Sequence, residues 1–165
     1  MTLPYVDPRA PRSRLYMAFA RLLGTRPAGW LSRKVVWRLD PYVMRLTRGR
    51  VGFGLLLPTA LLETRGAKSG LPRQNGVIYF NDGDRVTIIA SKLGLPENPS
   101  WYYNAVAHPD LVLGGRAFHA VVVEDETERE RLWGLADRVF PPYASYRESA
   151  GRTGRTIPIL QLSRR

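Results

Sequence analysis

Gly76-Val77-Ile78-Tyr79-Phe80-Asn81-Asp82-Gly83-Asp84-Arg85-Val86-Thr87-Ile88-Ile89-Ala90 is the stretch on which the fold turns. Two runs rich in β-branched and aromatic residues flank Asn-Asp-Gly-Asp, the composition of a hairpin turn. Upstream, Ala60-Leu61-Leu62-Glu63-Thr64 predicts another strand, joined to the hairpin through the turn Gly66-Ala67-Lys68-Ser69-Gly70. Downstream, Leu111-Val112-Leu113 and residues 117–124 and 156–162 predict three more. Asp125-Glu126-Thr127-Glu128-Arg129-Glu130 is an acidic first turn; it predicts a helix to about Phe140, ended by Pro141-Pro142. About six short strands with one C-terminal helix do not alternate as βαβ units. The pattern predicts a mainly β chain with α (α+β), a small antiparallel barrel with its helices outside.

The N-terminal third is different. Residues 1–11, rich in Pro and Arg, read as a mobile basic arm. Residues 12–50 read as a basic amphipathic helical segment. A short helix over 12–24 ends at Gly24, a turn follows at 25–29, and Leu31, Val35 and Leu39 then recur at helical spacing. Asp40-Pro41 has the form of a cap with Pro at the first helical position. Residues 51–165 form the barrel, and 165 residues suit a single domain overall.

Charge follows the same division. The chain carries +11, and residues 1–50 hold 11 Lys and Arg against only Asp7 and Asp40. An asymmetry of this kind suits an anionic surface, membrane or nucleic acid. Trp30, Trp37, Tyr42 and the arginines are residue types found at a lipid headgroup boundary, whereas a helical lid over the core accounts for the same residues. The aromatics form no obvious base-stacking sheet face, which disfavours nucleic acid. The run Leu15-Tyr16-Met17-Ala18-Phe19-Ala20 is interrupted by Arg21 and has no cleavage site after it, so we expect a cytoplasmic protein or one peripheral on the inner face of the plasma membrane.

The chain has no cysteine, which excludes disulfides and thiol catalysis. His108 and His119 have no ligand cluster around them, so no metal site is expected. Gly66-Ala67-Lys68-Ser69 lacks the upstream Gly of a phosphate loop, and Gly52-Phe53-Gly54 lacks the third Gly of a dinucleotide fingerprint. Three segments remain that scaffold alone explains poorly. In Thr64-Arg65-Gly66-Ala67-Lys68-Ser69-Gly70-Leu71-Pro72-Arg73, two glycines free backbone N–H groups, and Lys68, Ser69 and Arg73 add donors for a phosphate or carboxylate. Ile89-Ala90-Ser91-Lys92 precedes Asn98-Pro99-Ser100-Trp101-Tyr102-Tyr103-Asn104, a polar strand end followed by a short aromatic helix suited to a planar ring. Phe140-Pro141-Pro142-Tyr143-Ala144-Ser145-Tyr146 and Gly154-Arg155-Thr156-Ile157-Pro158-Ile159 complete the set, with two tyrosines three apart that can share one cavity.

Together and in this order, over roughly residues 55–162, these segments resemble the deazaflavin-dependent nitroreductases and the related deazaflavin-dependent quinone reductases. The resemblance implies a split β-barrel of the FMN-binding type and coenzyme F420 as cofactor. It implies transfer of a hydride from the reduced coenzyme to a planar acceptor, a quinone such as menaquinone or a nitro compound. The cofactor-binding residues it implies are Ala67, Lys68, Ser69, Arg73, Gln74, Asn75, Gly76, Val77, Ile78, Ile89, Ala90, Ser91, Lys92, Ser100, Trp101, Tyr102, Tyr103, Asn104 and Tyr143. Gly76 stands where the family usually has Pro. Tyr143 and Tyr146 match acceptor-site tyrosines, with Tyr143 expected to hydrogen-bond the acceptor and Ser91 or Tyr143 to assist proton delivery. Phe140 replaces a further tyrosine of the nitroreductase members, which favours quinones over nitro compounds. The competing readings are an FMN-dependent split-barrel reductase and a non-catalytic F420 carrier or sensor. Monomer and dimer are both compatible with the sequence.

Overall fold

The computed structural model describes residues 3–23 and 57–165. The predicted turn at 25–29, the helical repeats over 31–46 and the aromatic set Trp30, Trp37 and Tyr42 lie outside the described residues, as does Gly52-Phe53-Gly54.

Six strands form a closed antiparallel barrel: β1 (Thr59–Arg65), β2 (Pro72–Asp82), β3 (Arg85–Ile89), β4 (Asp110–Leu113), β5 (Arg116–Val122) and β6 (Ile159–Arg164). The order around it is β1-β2-β3-β6-β5-β4, and β1 closes on β4 through Leu62 opposite Leu113 and Glu63 opposite Val112. Closure leaves no open sheet edge among these strands. The hairpin turns where the sequence predicts, with Asp82 opposite Arg85 and Gly83 at φ 59°. Alternation along β1 buries Ala60, Leu62 and Thr64. Leu62, Ile88, Leu113, Phe118 and Leu162 are fully buried and form much of the core.

Four helices are described: α1 (Arg14–Leu23), α2 (Ser100–Ala107), α3 (Glu126–Val139) and α4 (Tyr143–Gly151). The N-terminus of α3 is capped as its acidic start implies. The Asp125 carboxylate accepts the Glu128 N–H at 2.8 Å, a contact worth about 1 kcal/mol. The guanidinium of Arg131 binds Asp82 and Glu128, which fixes α3 to the end of β2.

The structure departs from the sequence reading in four places. A second C-terminal helix, α4, follows Pro142, where the sequence predicts a single C-terminal helix ended by Pro141-Pro142. It forms because α3 supplies its partners: Arg147 pairs with Asp137 in a two-pronged ion pair at 2.8 and 2.6 Å and lies 4.3 Å above the Trp133 ring. Strand β2 reaches back to Pro72, because Arg73, Gln74 and Asn75 pair with Thr64, Glu63 and Leu62 despite their polarity. Strand β6 begins at Ile159, after Pro158, which lacks a ladder N–H. Finally, the expected arm is pinned from Leu3 onward. Val6 N–H donates to Asn81 Oδ1 at 2.8 Å, Asn81 N–H to Val6 O at 2.9 Å, and Tyr79 Oη–H to Pro4 O at 2.9 Å.

Candidate functional site

The turn at 66–70 joins β1 to β2 and is closed by Gly66 N–H donating to Leu71 O at 2.9 Å and Gly70 N–H to Gly66 O at 2.8 Å. A Cβ on Gly66 would stand 2.5 Å from Ser69 Oγ, which can rotate, and 3.2 Å from Leu71 O, so the turn leaves little room for a side chain at 66. Ala67 N–H points inward to Asn104 Oδ1 at 2.9 Å, and Asn104 Nδ2 donates to Thr64 Oγ1 at 3.2 Å. Asn104 is buried and thus bolts α2 to the turn. The N–H groups of Lys68 and Ser69 meet no protein acceptor among the described residues, and both side chains are exposed, as is Arg73. Unpaired N–H groups in a turn that carries an exposed ammonium and precedes an exposed guanidinium suit an anion. A groove of about 580 Å³ begins beside it, lined by Arg65 and Arg165 together with the carboxylates of Glu63 and Asp110 and apolar residues that include Leu111 and Phe118.

A second corner follows β3. Lys92 and Leu93 adopt φ 46° and 57° and Gly94 φ 72°, three consecutive residues in the left-handed region. For the two non-glycine residues this costs roughly 1–2 kcal/mol each, so the surroundings must hold the turn in place. Arg155 does so. Its guanidinium donates to Ser91 O at 3.0 Å, Asn98 Oδ1 at 2.8 Å, Ala90 O and Leu95 O. Lys92 Nζ lies 2.9 Å from Glu97 Oε2 and 3.4 Å from Asn98 O. Its ammonium holds the Glu97 carboxyl below the usual carboxylate range.

Gly94 sits against α4. A Cβ there would approach Tyr146 O to 2.7 Å and Tyr146 Cα to 2.9 Å. This contact places the Ser91 corner beside the aromatic cluster. Phe140, Tyr143 and Tyr146 stack edge-on or tilted with ring centroids 5.1, 6.1 and 6.2 Å apart, and Trp133 packs on Tyr143 at 6.0 Å. Burial pushes the Tyr146 phenol up to about 12 and Tyr143 higher still, so both remain protonated at neutral pH. No hydroxyl of Ser91, Tyr143 or Tyr146 has a protein partner among the described residues. Tyr16 of α1 reaches the same cluster by donating to Val139 O at 2.5 Å, the last turn of α3.

The residues singled out from the sequence divide by exposure. Lys68, Ser69, Arg73, Ser100 and Tyr103 are exposed, and Ala67 lies with them in the turn; Asn75, Gly76, Ile78, Ser91, Lys92 and Tyr102 are half-buried. Gln74 is half-buried with its amide committed to Glu63 Oε2 at 2.9 Å. Val77, Ile89, Ala90 and Trp101 are packed in the core, where a bound group would meet their backbone or nothing. Asn104 works through Ala67. Gly94, three residues beyond Ser91, lies against the backbone of Tyr146, and the turn at 66–70 connects to this corner through Asn104, α2, Asn98 and Arg155. Arg155, Asn98, Thr64 and Tyr16 were not anticipated as site residues, although Thr64, Asn98 and Arg155 stand in the quoted motifs. Among the described residues no cluster could hold a metal ion.

Comparison with known proteins gives one family. The family model of the F420H(2)-dependent quinone reductases matches residues 36–163. The F420H(2)-dependent quinone reductase Rv1261c of Mycobacterium tuberculosis (strain ATCC 25618 / H37Rv) is 36% identical over 147 residues, covering 82% of this chain and 97% of its own. The putative F420H(2)-dependent quinone reductase Rv3178 of the same organism is 38% identical over 115 residues, covering 67% and 93%. Among solved structures, an F420-H2 dependent reductase, FDR-A, aligns with TM-score 0.56 at 36% identity over 64% of this chain and 94% of its own. A structure described as a domain-swapped dimer aligns with TM-score 0.57 at 32% identity over 76% and 97%. With a closed six-stranded barrel and a match over most of its length, the chain belongs to the F420H(2)-dependent quinone reductase family.

Proposed function

We propose that this protein oxidises reduced coenzyme F420 at the expense of a quinone, binding the coenzyme between the turn at 66–70 and the Ser91 corner. The observation that carries the reading is the contact of Gly94 with Tyr146. It joins the cationic, coenzyme-facing half of the site to the helix bearing the acceptor-facing hydroxyls.

The residues fit the coenzyme. Free N–H groups at Lys68 and Ser69, with Lys68, Arg73 and Lys92, suit a phosphodiester and a carboxylate tail. The T-shaped pair Tyr102 and Tyr103, centroids 5.4 Å apart, offers an aromatic flank for a planar ring. When bound, the reduced deazaflavin supplies the hydride; the protein supplies orientation and exclusion of water. Tyr143, held protonated by burial, donates a hydrogen bond to the acceptor oxygen on which charge develops. Ser91 or Tyr143 delivers the proton. Phe140 is buried and offers no donor, so the acceptor side has one hydroxyl fewer to hold a nitro group, which favours a quinone.

Titration with oxidised F420, with FMN alongside, followed by turnover of reduced F420 with menadione, tests the reading. Saturable F420 binding and quinone-dependent oxidation are expected; preference for FMN would overturn it, and oxidation absent with every acceptor would leave a carrier. Tyr143→Phe is expected to lower turnover about ten- to hundredfold with little change in coenzyme affinity. Equal turnover in variant and wild type would remove Tyr143 from the mechanism.

The natural quinone would be drawn from an anionic membrane on whose inner face the protein rests. Leu15, 70% exposed, stands beside Arg14 on the outer face of α1, the pairing of an interfacial helix. No described helix is long and apolar enough to cross a membrane. Co-sedimentation with anionic vesicles is expected, weakened by Leu15→Ser. Binding that survives removal of residues 1–30 would count against this placement.

A further inference from the structure

Arg155 belongs to two parts of the site at once. Its backbone N–H donates to Ala150 O at 3.1 Å, at the end of α4, where Thr153 N–H donates to the same carbonyl at 3.0 Å. Its side chain turns the other way and binds four acceptors in the corner after β3: Ala90 O, Ser91 O, Leu95 O and Asn98 Oδ1. Those acceptors bracket Lys92, Leu93 and Gly94, the three residues in left-handed conformation. The corner would relax toward ordinary backbone angles without an external hold, and hydrogen bonds from a charged donor are about twice as strong as neutral ones. Beyond Asn98 the chain enters α2, whose Asn104 holds the anion-facing turn. One residue therefore joins the strained corner and the start of α2, through its guanidinium, to the end of the tyrosine helix, through its backbone.

We infer that Arg155 is a positioning residue: it sets the distance and angle between the coenzyme held by the Ser91 corner and the acceptor held by Tyr143 and Tyr146. The inference rests on the coenzyme site described above. Its planar fork explains why the residue is arginine. A lysine ammonium reaches one or two of the four acceptors and leaves the remaining carbonyls unpaired. With its guanidinium committed to Ala90, Ser91, Leu95 and Asn98 and its backbone to Ala150, Arg155 acts through the corner and the end of α4.

The test compares Arg155→Met, Arg155→Lys and Lys92→Ala with wild type. Coenzyme affinity, kcat at saturating coenzyme, melting temperature, and the isotope effect with coenzyme carrying deuterium in place of the transferred hydrogen are measured. Misalignment of reacting groups lowers the rate of transfer itself, so Arg155→Met is expected to lose about tenfold or more in kcat. Its isotope effect should rise as transfer becomes slower than the other steps. Arg155→Lys should fall between Met and wild type, and it carries the test if the Met variant fails to fold. Lys92→Ala should weaken coenzyme binding with a smaller change in kcat. A lowered melting temperature with kcat and isotope effect at wild-type values would overturn the inference and leave Arg155 a stabilising residue. Wild-type coenzyme affinity in Lys92→Ala would instead show that the corner does not hold the coenzyme; the site reading would then fail and the inference with it.

Discussion

Gly94→Ala is expected to lose most of its quinone-dependent turnover and to melt roughly 5–10 °C below wild type. Two costs combine. At φ 72° a side chain is strained by about 1–2 kcal/mol wherever it sits. The new methyl would also lie 2.7 Å from Tyr146 O, 2.9 Å from Tyr146 Cα and 3.0 Å from Ser149 Cβ. Two of these neighbours are backbone and cannot swing away, so α4 or the corner must shift, at about 1–3 kcal/mol for overpacking. Either shift moves Tyr146 relative to Ser91. Gly83→Ala is the control. It has φ 59° and nothing within 4 Å of a new Cβ, so it bears the strain alone. Thermal unfolding and turnover of both variants check the prediction. Equal melting temperatures, or full activity in Gly94→Ala, would show that the close approach does not matter.

Asn104→Ala is expected to weaken F420 binding at least about tenfold and to destabilise the fold by about 2–4 kcal/mol. The buried amide satisfies Ala67 N–H and Thr64 Oγ1, and its removal leaves both without their present partner. The turn at 66–70 then loses the hydrogen bond that holds Ala67, the residue before the unpaired N–H groups of Lys68 and Ser69. Asn104→Asp separates anchoring from charge. It keeps an acceptor for Ala67 N–H and places a carboxylate behind an anion site, so it should retain more stability than Ala yet still bind the coenzyme poorly. Coenzyme titration and thermal unfolding of the two variants decide the matter. Unchanged affinity in both would mean that the turn is not the coenzyme's anchor.

The pair of predictions shows what kind of information was readable beforehand. Asn81-Asp82-Gly83-Asp84 fixes a hairpin through local backbone preference, and Asp125 marks a helix start through a carboxylate three residues from the N–H it accepts. The run Ala60-Leu61-Leu62-Glu63-Thr64 marks a strand, while which face of β1 is buried shows only in the structure. Such signals lie within a few residues of one another, so the barrel was legible. Lys68, Ser69, Ser91 and the tyrosines could be named because their motifs are short and separate.

Other features depend on residues far apart in the chain. The sequence YASYRESAG does not look strongly helical, yet α4 forms because Asp137 and Trp133 receive Arg147. Arg73, Gln74 and Asn75 look like a polar loop, yet they are strand because β1 presents a complementary ladder. Asn104 joins the turn at 66–70 across 37 residues, and Arg155 reaches Ser91 across 64. By itself the sequence determined the hairpin turn, the acidic helix start, the approximate strands and the residue types available for binding an anionic, planar coenzyme, because each is a local property of the backbone or of one side chain. Which of those residues meet, and how closely Gly94 brings the coenzyme corner to the tyrosine helix, was decided only by the tertiary structure. Those contacts depend on the packing of whole elements, and no short stretch of sequence contains both partners.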